Sequence, residues 1–219
     1  MRKIISLGKR SSGIATVIAV AYGISQILFQ FRVIPNPHNL FLYFLPLFLL
    51  APAFLVITVC LDILAPGKLR RWTIPAWGLA TINCMMMIMV YCSQPGHLNP
   101  SHFNWETGGL NLLVFSHHTS LVAVKYASYL LMSASTFILA FALRKCSSKW
   151  HFRSLLTNGL LLPLIIISYF YPDYYYLSSI WLIIYSFTTF QTTSFFRIKE
   201  RRLQKKEKSV TSPFEWVIQ

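Results

Sequence analysis

The chain has 219 residues, of which 55% are apolar and only 12% charged, with a net charge of +14 at pH 7. Soluble domains carry about a quarter charged residues, and a chain of this length leaves roughly a third of its unfolded surface exposed. The 20 basic and 6 acidic side chains cannot cover that area, which excludes a water-soluble globule.

The positive charge is clustered between apolar runs, not spread along one face, so it does not form a nucleic-acid footprint. Cys60, Cys84, Cys92 and Cys146 have neither CxxC nor zinc-like spacing.

About 20 apolar residues cross the hydrocarbon core as a helix. The first predicted span is 11–31, after the basic residues Arg2, Lys3, Lys9 and Arg10; no cleavage-site pattern follows it, so it reads as a retained span. The second runs over about 40–64, with Pro46 and Pro52 predicting a bend and Asp62 at its exit. A basic turn, 66–71, leads into the third span, 72–92, which holds the soft run Met85, Met86, Met87 and Met89. A polar, Pro-containing loop covers 93–109.

The fourth apolar region, 110–143, is long. Read as one helix it gives six spans; broken near Lys125 it gives seven. Arg144, Lys145, Lys149 and Arg153 precede the fifth span, 155–169, and the sixth covers about 177–196. Short cytosolic loops carry an excess of Lys and Arg. Six spans place every basic cluster on one side, leaving only Arg32 and Lys125 elsewhere, whereas seven would send the basic tail to the opposite side. The sequence therefore predicts an all-α, polytopic transmembrane helix bundle of six spans with both termini cytosolic. Residues 1–196 form a single helical domain, and 197–219 form a basic, partly disordered tail. Trp72, Trp105 and Trp181 fall at span boundaries, where amphipathic rings anchor helices.

Polar groups gather on the outer half, which holds His38, His97, His102, His117, His118, Glu106 and Asp173; only His151 is cytosolic. His117 and His118 interrupt the apolar run "LLVFSHHTSLVAV", and ionisable groups in such runs face a bundle interior or cavity. Three roles stay open for the pair: proton transfer, bonding between helices, or metal binding. HExxH spacing is absent, and neither a metal nor a cofactor is predicted. Asn111, His118, Lys125, Ser128 and Ser135 fall near one helical stripe. Ala123, Ala127, Ser128, Ser133, Ala134 and Ser135 offer the small surfaces that let membrane helices approach closely.

Three functions compete. The first is a non-catalytic integral membrane subunit or assembly scaffold that binds partner helices and lipid. Its basic segments would meet anionic headgroups or a cytosolic partner. The second is a lipid-directed hydrolase or transferase. There His117 or His118 would be the base, Glu106 or Asp173 would orient it or supply the acid, and Lys125, Asn111 and Ser128 would bind substrate. The third is a small-molecule transporter with Lys125, Gln26 and Gln191 along its path. Membrane lipids, and partner membrane proteins beside them, are the expected partners; nucleic acid is not.

Overall fold

In a medium without water the backbone must bond to itself, and the apolar runs do so as helices. A computed structural model describes residues 1–30, 38–93, 120–171 and 178–211. They form α1 (Arg2–Gln30), α2 (His38–Leu64), α3 (Gly67–Ser93), α4 (Ser120–Leu143), α5 (Lys149–Gly159), α6 (Leu162–Phe170) and α7 (Ser178–Thr211). No strand occurs among the described residues.

Five stretches are long and apolar enough to cross a membrane: Arg2–Ser25, Leu45–Leu64, Leu69–Cys92, Val122–Leu143 and Lys149–Phe170. The upper part of α7, expected as the sixth span, is more polar. It carries Ser186, Thr188, Thr189, Gln191, Thr192 and Thr193 and is not among the five. α4 passes through Lys125 without interruption, so the break that a seventh span needs near that residue is absent.

Two elements depart from the sequence reading. The fifth stretch starts at Lys149, within the basic cluster, and is divided into α5 and α6. Pro163 lies in the first turn of α6. Having no N–H, it cannot bond the Gly159 carbonyl one turn back, and the helix restarts there. At its other end α5 is capped by Ser148, whose hydroxyl accepts from the His151 N–H at 3.2 Å. The second departure is α7, which continues through Arg197 to Thr211, so the basic segment to that point is helical.

The helices pack as a closed ring. α1 sits against α2 and α7, α3 bridges α2 and α4, and α5 and α6 fill the gap between α4 and α7. One end of the ring, here the basic end, gathers residues near 2–10, 64–72, 143–153 and 197–211. The other is the far end. Leu47, Leu61, Val90, Leu139, Tyr185 and Phe196 are almost fully enclosed. Val17, Met85, Met89, Ile183 and Phe190 point outward. Large apolar side chains over the outer surface, with a packed interior, are what a lipid-facing bundle requires.

Close packing is tightest at three glycines. A Cβ on Gly8 would overlap the Phe196 ring, and one on Gly23 would lie 2.9 Å from Leu182 Cδ2. At Gly159 it would meet Phe137 Cβ, Cα and N at 2.6, 2.7 and 2.9 Å. Because backbone cannot step aside as a side chain can, we expect Gly159→Ala to cost about 1–3 kcal/mol. Gly78→Ala meets nothing within 4 Å and should be neutral, or stabilising by up to about 1 kcal/mol through helix propensity. Unfolding in mixed detergent micelles checks the pair; equal stability of the two variants would contradict the close α4–α5 crossing.

Candidate functional site

Of the residues singled out in the sequence, His117, His118, Glu106, Asn111 and Asp173 lie outside the described residues. Lys125 and Ser128 are both on α4. Ser128 is fully buried, and its hydroxyl donates to the Lys125 carbonyl at 2.6 Å, so its one proton is committed to its own helix. Ser135, two turns on, is also buried and donates 2.7 Å across to the Ala76 carbonyl of α3. The predicted stripe therefore faces the bundle at these two positions. Beside it, Ala76 and Ala80 give α3 the small surface that lets α4 approach.

Lys125 is half-buried, with Nζ 6.0 Å from the Tyr129 ring centre. Tyr129 begins an aromatic column that runs down the bundle interior. Successive ring centres are 5.3 Å apart from Tyr129 to Trp181, 4.9 Å to Tyr185 and 6.4 Å to Phe54. Trp181 is thus an interior residue, 6% exposed, and not the boundary anchor expected from its position. Trp72 and Trp150 are the exposed ones at the basic end.

Beside this column Asn83 of α3 is 1% exposed, and neither atom of its amide has a hydrogen-bond partner. The Trp181 Nε1–H is likewise unpaired. Asn83 is a residue that sequence reasoning missed, although the signal was there: one amide in the apolar run "TINCMMMIM".

A second polar layer lies toward the basic end, and its centre is His151, the histidine read as cytosolic. His151 is completely buried. Its Nε2 is 3.1 Å from the Thr192 hydroxyl, and its ring stacks on Phe195 with centres 4.8 Å apart. Thr192 gives its own proton to the Thr188 carbonyl at 2.8 Å. The direction of the Nε2–Thr192 bond follows the imidazole tautomer, and Nδ1 is buried without a partner in either case. Asn158, two turns along α5, donates 3.1 Å to Thr136 of α4, and the single Thr188 hydroxyl proton is shared between the Ser154 carbonyl at 3.1 Å and the Ile184 carbonyl at 2.8 Å.

A narrow cavity of about 20 Å³ lies among α2, α4, α5 and α7. Thr58, Thr136, Thr188, Thr189 and Thr192 line it. Each hydroxyl bonds back to a carbonyl of its own helix at 2.8–3.2 Å. These threonines thus commit their protons to backbone and do not build a ready-made polar path.

The third polar feature is the seam between α1 and α7. Thr193 donates 2.9 Å to the Ser12 hydroxyl, which donates 2.8 Å to the Gly8 carbonyl; the Thr16 and Thr189 hydroxyls are 3.0 Å apart. Toward the basic end Lys9 Nζ meets Glu200 at 2.6 Å, and Arg2 reaches Glu207 at 3.9 Å. Nearby, buried Asp62 accepts from the Thr73 hydroxyl and lies 3.6 Å from Arg70 Nε, which pins the α2–α3 turn.

Among the described residues no three His, Cys, Asp or Glu side chains group as metal ligands. Comparison of the chain with protein-family models, with curated proteins and with solved structures finds no match.

The His151 geometry separates two substitutions. His151→Phe keeps a ring against Phe195 and removes the unpaired Nδ1, so it should change stability by no more than about 1 kcal/mol. His151→Ala opens a cavity between α5 and α7 and should cost about 2–5 kcal/mol. Detergent unfolding of both variants is the check; an alanine tolerated as well as phenylalanine would rule out a packing role.

Proposed function

We propose that the protein is a non-catalytic membrane subunit or assembly scaffold that works through its surfaces. Its six spans, counting the upper part of α7, place both ends of the chain on the cytosolic side. The carrying observation is the projecting α1–α7 pair. The first ten residues hold four cations, and α7 from Arg197 to Lys208 holds seven. The two acids within it, Glu200 and Glu207, are engaged by Lys9 and Arg2. Exposed Arg197, Arg201, Arg202 and Lys205 make a helical, cationic ridge.

Its length assigns its two halves different partners. α7 runs 15 residues beyond Phe196, about 22 Å at 1.5 Å per residue. A headgroup layer is only about 5–8 Å thick on each side, and charge is screened over about 8 Å at physiological salt. With the hydrocarbon boundary near Arg10 and Arg197, the proximal cations lie among anionic headgroups, each contributing about 1 kcal/mol. The distal ones, exposed Arg202 and Lys205 among them, stand in water and serve an acidic face of a partner protein. The back-bonded threonines and small interior spaces favour this reading over a transporter.

Two measurements test it. In a variant whose sole cysteine is Cys146, at the basic end, a membrane-impermeant maleimide should label only permeabilised cells; labelling of intact cells would reverse the proposed orientation. In cells that depend on the protein, Arg202→Glu with Lys205→Glu should abolish function, whereas His117→Ala, His118→Ala and Lys125→Ala should each retain it. Loss of function in any folded member of the second group would replace the scaffold with the hydrolase or transferase.

A further inference from the structure

The sequence from Thr107 to Pro172 holds five cations and no Asp or Glu. Four of the five, Arg144, Lys145, Lys149 and Arg153, lie at the basic end of the α4–α5 hairpin and are exposed. None of them forms an ion pair among the described residues. Lys149 also opens α5 with no acid in the first turn, although the positive end of a helix dipole favours anions. The α1–α7 pair differs, since Lys9 and Arg2 there meet Glu200 and Glu207. At the hairpin the charge is left for a partner to balance.

Beneath these cations lies an apolar floor. Phe141, one turn before Arg144, is 51% exposed. Its ring meets Phe137 edge-on at 4.9 Å and Phe152 of α5 at 6.4 Å. The Arg144 guanidinium stands 5.8 Å from the Phe152 ring centre, so cation and rings form one patch. Along α5, Arg153 lies 5.9 Å from the ring of Trp150, which is 63% exposed; an indole so placed marks the headgroup level. The turn itself is only residues 144–148, too short to carry its cations far past a headgroup layer of roughly 5–8 Å, as α7 does. An acidic protein face would balance the charge but not cover Phe141 inside the span. An occupant that does both is anionic at one end and apolar at the other. We infer that the α4–α5 hairpin is a binding site for one anionic phospholipid, its phosphate held by Arg144 and Lys145 and an acyl chain lying over Phe141. This rests on the scaffold reading only in setting the basic end at a headgroup layer.

Native mass spectrometry of the full chain, released from micelles doped equally with phosphatidylglycerol and phosphatidylcholine of the same acyl chains, counts the lipids retained. One phosphatidylglycerol should be kept over phosphatidylcholine by about tenfold, because each cation beside the bilayer strengthens anionic-lipid binding several-fold. Arg144→Gln with Lys145→Gln should bring the two lipids to within about twofold of each other. Phe141→Ala should lower phosphatidylglycerol retention by about threefold through lost apolar contact. All three positions are exposed, and the preference of the native protein is read without any variant. Equal retention of the two lipids by the native protein overturns the inference. So does a preference that survives the paired glutamines, or a retention unmoved by Phe141→Ala. If the preference is lost instead in Arg197→Gln with Arg201→Gln, the lipid belongs to the α1–α7 ridge; that result overturns this site and leaves the scaffold reading standing.

Discussion

The ring depends on the seam between its first and last helices. In lipid there is little hydrophobic drive between helices, because the tails are as apolar as the side chains; association rests on close packing and on hydrogen bonds averaging about 0.6 kcal/mol. The α1–α7 seam uses both. Gly8 and Gly23 let the helices approach Phe196 and Leu182, and Ser12, Thr16, Thr189 and Thr193 bond across the gap thus narrowed. Lys9 and Glu200, each partly exposed, add about 0.2–1 kcal/mol of a surface ion pair. Without this contact the helices would form an open row with α1 and α7 at its edges.

The same economy governs the rest of the interior. Polar side chains are numerous in the bundle, yet most are short hydroxyls that first satisfy their own helix and then reach a neighbour. Thr188 and Thr192 are examples, each tied to a carbonyl four residues back while also meeting α5. Such groups hold helices in register at little desolvation cost. His151 and Asn83 differ because each retains bonding capacity that no helix absorbs.

The class of protein was legible from composition and from the apolar runs, since the bilayer leaves the backbone few options. Charge clustering was also readable, and the structure places those clusters at one end of the bundle. Interior partners were harder. His151 sits in "SSKWHFRS" between the cations Lys149 and Arg153, so local sequence marks it as solvated; only the face that α5 turns toward α7 buries it. Trp181 sits at a span boundary by sequence, but tertiary packing turns its ring inward against Tyr185. The fifth span's division at Pro163 was present in the sequence, masked by the apolar residues on either side. The histidine pair at 117 and 118 lies outside the described residues, so its chemistry rests on the sequence alone.

Pairing the first helix with the last also imposes an order on synthesis. α1 leaves the ribosome early, carrying Lys9, Ser12 and Thr16, but the residues that engage them are more than 170 positions downstream. For most of translation α1 must therefore wait in the membrane with half of its packing surface facing lipid or a chaperone. Ring closure becomes a report that the chain has been made through α7. A product cut short before α7 would expose a small-residue, hydroxyl-bearing face in the bilayer, the kind of surface by which membrane quality control can tell an unfinished protein from a finished one.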